Sequence, residues 1–166
     1  LEIERFLARR TTKIIAISHI QKKELCQDFK VGPCDQFEVL PLGFDLARFQ
    51  ENLSERREDF RVKYALEMDD IAIGIIGRLV PVKNHQLLIE AMARLKKQTN
   101  KSVKLIIIGD GELREQIEQG CLRQGLKTSN VSAEGVDVLF TSWIKQIETA
   151  LPGLDIVALT SFNEGT

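Results

Sequence analysis

Ile71-Ala72-Ile73-Gly74-Ile75-Ile76, running into Gly77-Arg78-Leu79-Val80-Pro81-Val82-Lys83-Asn84, and Val103-Lys104-Leu105-Ile106-Ile107-Ile108, running into Gly109-Asp110-Gly111, are the passages on which the fold turns. Both apolar runs are nearly continuous rather than alternating, as expected of strands buried on both faces, and parallel strands covered by helices are buried in that way. Between the runs, residues 84–97 have helical periodicity. Leu87, Leu88, Ala91, Met92 and Leu95 recur at three and four, which predicts one apolar stripe against a sheet, with Arg94, Lys96 and Lys97 facing water. The two runs start about 30 residues apart, the spacing of a strand-helix-strand unit. A second helical stretch at 112–124 follows, and then the runs 138–140 and 156–159, which enclose a short helix around 144–151. The pattern predicts an α/β fold, a Rossmann-like parallel sheet with helices on both faces, forming half of a doubly wound sheet.

Upstream, residues 1–29 read as a helix, a short strand over 13–17 and a second helix from about His19 with Ser18 as its cap. Val31-Gly32-Pro33 ends that helix, and residues 37–40 form a further strand. Pro41-Leu42-Gly43-Phe44-Asp45 is rich in turn-forming residues and marks a change of subdomain. The expected division is therefore 1–41 and 42–166, with a polar helix at 54–65 opening the second part.

Composition narrows the function. The chain has 166 residues, 23 Lys plus Arg against 24 Asp plus Glu, and 43% apolar residues. A net charge of −1 gives no bulk attraction to nucleic acid or anionic lipid, and no apolar run approaches the roughly 20 residues of a membrane-spanning helix. The opening residues have no secretory-signal pattern, and without an initial Met the chain reads as an excised fragment. Cys26, Cys34 and Cys121 are odd in number and form no CxxC pair, so free thiols in a reducing cytoplasm are expected. No acidic cluster suits Mg²⁺ or Mn²⁺, and neither a metal nor a bound cofactor is expected.

The polar residues that stand out lie at strand ends. If the first and fourth long strands are neighbours whose connections leave in opposite directions, a crevice opens between their carboxyl ends. Arg78 and Lys83 stand at one side of it, before a helix for which Asn84 is the expected cap. Two cations beside free N–H groups and the positive end of a helix dipole suit a diphosphate. Gly77 would permit close approach; the competing reading is a solvent-facing loop with ordinary surface charges. Gly109-Asp110-Gly111 also offers backbone donors, or else is a tight turn capped by Asp110. It is not a dinucleotide fingerprint, because Arg114 stands where a third glycine would be needed. Glu164 could accept hydrogen bonds from ligand hydroxyls or merely charge a loop end. Trp143 could stack on a base, or be part of the core or its rim. For His19 and His85, the only histidines, no triad-like partner is apparent, and a structural or exposed role is expected.

Taken in order, Gly77 to His85, Leu88-Ile89-Glu90-Ala91, Leu105 to Gly111 and Ser161-Phe162-Asn163-Glu164-Gly165-Thr166 resemble the nucleotide-sugar-binding half of retaining glycosyltransferases of family 4, the group 1 transferases of GT-B fold. The segments 14–18 and 39–45 are similar to that family's passage from its amino-terminal into its carboxy-terminal domain. The resemblance implies a carboxy-terminal domain truncated before its closing helices and preceded by the end of an amino-terminal domain. It implies that Arg78 and Lys83 hold the donor's diphosphate and that Glu164 is the first carboxylate of an EX7E motif near the transferred sugar. Gly77, Gly109, Asp110, Gly111, Asn163, Gly165 and Thr166 would line the donor site, and the second carboxylate would fall beyond Thr166. Ser142 departs from the pattern, since many relatives have glycine there.

The implied partners are a nucleotide sugar, UDP- or GDP-linked, and a glycan or lipid-linked acceptor in cell-surface polysaccharide or lipopolysaccharide synthesis; nucleic acid is not among them. The implied setting is the cytoplasm, with peripheral contact at the inner face of the plasma membrane through the amino-terminal domain left open. The fragment alone would be inactive and prone to self-association through uncovered sheet edges. Two readings compete: a noncatalytic nucleotide-binding module and an NAD-dependent oxidoreductase.

Overall fold

A computed structural model describes residues 1–164. The chain divides into two compact units, residues 1–45 joined by Glu164, and residues 46–163.

In the first unit, α1 (Glu2–Ala8) precedes β1 (Ile14–Ala16), α2 (His19–Lys23) and β2 (Phe37–Val39), and the two strands pair in parallel. Ser18 caps α2 as its position suggests, its Oγ accepting from the Gln21 N–H at 3.1 Å. A π-turn over Glu24–Asp28 continues the helix. Ala8, Cys26, Val31 and Phe37 form the buried centre.

Here the structure corrects the reading of the cysteines: Cys26 and Cys34 are joined in a disulfide, with Cα atoms 5.1 Å apart. The chain reverses after the π-turn, where Val31 N–H donates to Leu25 O at 2.9 Å and Lys30 adopts a left-handed φ of 50°. A sequence separation of eight does not reveal that reversal. Cys121 is a buried free thiol, pushed up to about 12 by burial in the core and secondarily by the Glu118 charge.

In the second unit, α3 (Leu53–Lys63), β3 (Ile71–Ile76), α4 (His85–Gln98), β4 (Val103–Ile108), α5 (Arg114–Arg123), β5 (Thr128–Ser129), β6 (Val138–Ser142), α6 (Ile147–Ala150) and β7 (Ile156–Val157) follow in order. The described strands of this unit form a parallel sheet in the order β5-β6-β4-β3-β7. The continuous apolar run of β4 is explained by this order, because Leu105, Ile106, Ile107 and Ile108 are each at most 1% exposed. Leu105 and Ile107 join Ile75, Val138 and Phe140 under α4 and α5. Ile106 and Ile108 join Ala72 and Leu139 against Phe60, Tyr64, Ala150 and Leu154 on the other face. The sheet is thus a Rossmann-like layer with helices on both sides, as the sequence predicts.

Two expectations fail in detail. Of the stripe expected on α4, Met92 is buried and Leu88 packs against the core, but Leu87, 52% exposed, and Ala91 face outward, and the buried face is His85, Ile89, Met92 and Ala93. An apolar ridge at 87, 91 and 95 satisfies the same periodicity, and the register against the sheet chooses between the two. The fourth run also differs, for Ile156, Val157 and Leu159 are more than half exposed at the sheet edge. The short strand β5 is not legible at all, since its two residues Thr128 and Ser129 carry no apolar signal.

Asp155 fastens the sheet to α3. Its carboxylate accepts from Ala72 N–H at 2.8 Å and pairs with Arg57 at 2.7 Å and Arg61 at 3.5 Å. Arg61 is 4% exposed and also donates to Gly153 O and Asp70 O, so this buried cation is partnered, as burial of a charge requires. Among the described residues, no helix is long and apolar enough to cross a membrane.

Candidate functional site

The loops of the second unit meet at the carboxyl ends of β3, β4 and β7. The expected neighbours are indeed adjacent, β3 pairing in parallel with β7 through Ile73 with Ile156 and Gly74 with Val157. Leaving β3, the chain passes Gly77 and Arg78 and is then pinned by Leu79, which is fully buried. Leu79 N–H donates to Asp110 O and Leu79 O accepts from Leu113 N–H, both at 3.0 Å. The loop bearing Arg78 and Lys83 is therefore anchored in the core rather than hanging in solvent. Sequence reasoning missed Leu79, for which one leucine directly after the Gly77-Arg78 pair was the available signal.

The glycines of the next loop are explained by the same packing. At Gly109 φ is 144°, and a Cβ there would collide with Gly77 O. A Cβ at Gly111 would lie 2.8 Å from both Leu79 N and Leu79 O. Asp110 turns its carboxylate back, Oδ1 accepting from Gly111 N–H at 2.8 Å. This is the capped turn of the competing reading. It fixes the loop's backbone, which leaves a ligand-binding part for the same residues neither required nor removed.

Lys83 ends a 3₁₀ turn over Pro81–Lys83, and its stem runs past Gly77, within 3.5 Å of where a Cβ would stand. Arg78 is exposed; its carbonyl accepts from Val80 N–H at 3.0 Å, and its guanidinium makes no hydrogen bond or ion pair with the described residues. The segment after β7 is stitched to this loop. Thr160 Oγ1 donates to Lys83 O at 2.9 Å, and Phe162 N–H donates to Val82 O at 2.9 Å. The chain thus brings Arg78, Lys83 and the residues leading into exposed Asn163 to one end of the sheet. Glu164 is half-buried and groups with the first unit; Gly165 and Thr166 lie outside the described residues.

Asn84 occupies the cap position of α4, but in left-handed conformation with φ 48°, and its side chain makes no capping bond. This corrects the simple cap expected from sequence, which requires an extended backbone to turn the amide oxygen onto the helix. His85 is 4% exposed; burial first, and the Lys83 cation second, hold its imidazole below the ordinary range. His19 is exposed.

On the far side of β4, Ser142 ends β6 with a left-handed φ of 58°, the physical reason a glycine would suit that position. Trp143 follows it at 56% exposure, at the sheet's carboxyl end and not in the core. Arg114 braces this corner: Nε pairs with Glu118 at 2.5 Å, Nη2 donates to Asn130 at 2.8 Å, and the guanidinium lies 4.5 Å from the Phe140 ring centre. Among the described residues no group of three or more His, Cys, Asp or Glu is arranged to hold a metal ion.

Comparison with known proteins agrees with this architecture. Residues 56–166 match the family described as glycosyl transferases group 1. An uncharacterized glycosyltransferase of Methanocaldococcus jannaschii is 32% identical over 116 residues, covering 69% of this chain and 29% of that protein. The N-acetylgalactosamine-N,N'-diacetylbacillosaminyl-diphospho-undecaprenol 4-alpha-N-acetylgalactosaminyltransferase of Campylobacter jejuni is 36% identical over 96 residues, 57% of this chain and 22% of its own length. Among solved structures, HepE of Anabaena in complex with UDP and glucose superposes with a TM-score of 0.71 at 25% identity, over 96% of this chain and 41% of HepE. The chain spans less than a third of the two curated relatives. With its parallel sheet, its helix layers and a family match extending over more than half its length, the chain belongs to the group 1 glycosyl transferases.

Proposed function

We propose that this chain is the donor-binding part of a retaining glycosyltransferase that moves a sugar from a nucleoside diphosphate to a glycan or lipid-linked acceptor. The observation that carries the reading is the joining of the loops after β3 and β7, through Thr160 to Lys83 and Phe162 to Val82, beside the Arg78 guanidinium, which has no partner among the described residues. The bound UDP of HepE and the diphospho-undecaprenol substrate in the Campylobacter enzyme's name support the donor and acceptor classes.

In this reading Arg78 supplies a planar fork for two diphosphate oxygens and Lys83 a point charge. Together they neutralise the phosphate as the bond from its oxygen to the anomeric carbon breaks. The acceptor hydroxyl forms its bond to that carbon on the face the phosphate leaves, and its proton passes to the departing phosphate oxygen. Glu164 serves the transferred sugar's hydroxyls, and the Gly109–Gly111 turn shapes the floor. Asn163, Gly165 and Thr166 complete the donor side.

Isothermal titration of UDP and GDP into the protein tests this. Arg78→Ala is expected to weaken binding about 10- to 150-fold, the worth of one charge-assisted contact. Unchanged affinity would remove the reading's central support. A thermal shift with NAD and none with UDP would favour the oxidoreductase instead.

A further inference from the structure

On the side of α4 turned away from the sheet, Leu87, Ala91 and Leu95 stand in one row and Glu90, Arg94 and Gln98 in the next, each row spaced by four residues. An open groove of about 430 Å³ lies between the rows, lined by these six side chains. Leu87 is more than half exposed, Ala91 and Arg94 are exposed, and Leu95 is half-buried. Rows of this spacing are the ridges that packed helices interlock, and the space between two of them is the groove that receives a ridge.

Shape and charge both make this face complementary to itself. The small Ala91 stands midway between Leu87 and Leu95, so two such helices can cross there with axes at the close end of the usual range of about 8–10 Å, each apolar row lying in the other's groove. Charge then fixes the direction. In an antiparallel crossing centred on Ala91, residues equally far before and after it face each other, and Leu87 of one copy meets Leu95 of the other. Glu90, one residue before the centre, and Arg94, three after it, lie on the same flank of the helix. The second copy brings its own Arg94 onto that flank about 3 Å along the axis from Glu90, and symmetry makes the contact reciprocal. A parallel crossing would set the flank against Leu88 and Leu95 instead, with no cation for Glu90. Both charges are available: the Arg94 guanidinium makes no hydrogen bond or ion pair with the described residues, and Glu90 accepts from the Gln86 amide through Oε1, at 2.8 Å, while retaining Oε2.

We infer that this face of α4 docks on the same face of a second copy of the chain, in an antiparallel crossing at Ala91 with the apolar rows interlocked and Glu90 of each copy paired with Arg94 of the other. One helix crossing is a small contact by the standard of stable complexes, so the dimer is transient, with a Kd of about 10–500 μM. None of the contact residues belongs to the proposed donor site, and the inference does not depend on that reading.

Sedimentation equilibrium of the protein from about 5 to 500 μM tests this, and a reversible monomer–dimer equilibrium is expected. Leu87→Glu should weaken the dimer at least about 10-fold by charging the interlocked row. Arg94→Glu and Glu90→Arg should each weaken it about 10-fold, because both cross-copy pairs become like-charge contacts. The double exchange Glu90→Arg/Arg94→Glu re-forms the pairs with reversed signs and should return the Kd to within about threefold of the original, a rescue that loss of structure would not give. Val157→Lys, on the exposed edge strand β7, should leave the equilibrium unchanged. A protein that stays monomeric throughout, a double exchange that fails to restore pairing, or a dimer abolished by Val157→Lys but kept in Leu87→Glu would overturn the inference. If Leu87→Glu does not fold by circular dichroism, Arg94→Glu and the double exchange decide, because Arg94 is exposed and its replacement leaves the core intact.

Discussion

Replacing Gly109 by Ala tests whether the two glycine loops are locked by contact. At φ 144° an L-residue is strained, which costs on the order of 1–3 kcal/mol. The added Cβ would also collide with Gly77 O and lie 2.9 Å from Gly77 C, and because these are backbone atoms no side chain can swing aside. Overpacking of that kind costs roughly another 1–3 kcal/mol. Loss of unfolded-state freedom returns about 0.4–1 kcal/mol, so the net destabilisation should be about 3 kcal/mol. For a chain of this size that is a fall in Tm of roughly 6–12 °C. Gly125→Ala is the control, having a left-handed φ of 73° and open space around the added atom, and should cost only about 1 kcal/mol. Urea and thermal unfolding followed by circular dichroism measure both. Equal losses in the two variants would refute the claim that Gly77 and Gly109 hold each other in register.

Asp155→Asn should destabilise the second unit and flatten its acid limb. Burial raises this carboxyl, but the Ala72 N–H and the Arg57 and Arg61 guanidiniums outweigh it, so the group titrates below its ordinary value of 3.8. Its stabilisation is therefore complete above about that pH and is lost as pH falls through the lower folded value, which acid titration of both proteins will show. Dithiothreitol should lower the stability of the first unit by about 2.5 kcal/mol, the chain-entropy value for so short a loop, with no effect in a Cys26→Ser/Cys34→Ser double variant. Cys121 should resist Ellman's reagent in the native protein and react only on unfolding, because burial holds the thiol protonated; immediate native-state labelling would contradict its place in the core.

Much of the candidate site's loop structure is readable because its signals are short-range. Gly77-Arg78 directly after an apolar run, and Gly109-Asp110-Gly111 after another, announce strand ends whatever the rest of the chain does. The pairing of Thr160 with Lys83 and of Phe162 with Val82 is not, since hydroxyls and backbone N–H groups bond wherever the fold carries them. That the buried Nδ1 of His85 has no hydrogen-bond partner among the described residues is likewise invisible in a string of letters, because it depends on what surrounds the ring on every side.

By itself the amino-acid sequence determined that long strands alternate with helices and that these strands are parallel and covered on both faces. Run length and periodicity are properties of neighbouring residues, and four consecutive large aliphatic side chains cannot be satisfied at an open surface; the burial of Leu105, Ile106, Ile107 and Ile108 bears this out. Only the tertiary structure decided which ridge of α4 is buried, that Ile156 and Val157 lie exposed at an edge, and that Cys26 meets Cys34. Each of these depends on where a distant segment comes to rest, and several placements satisfy the same local pattern until packing selects one.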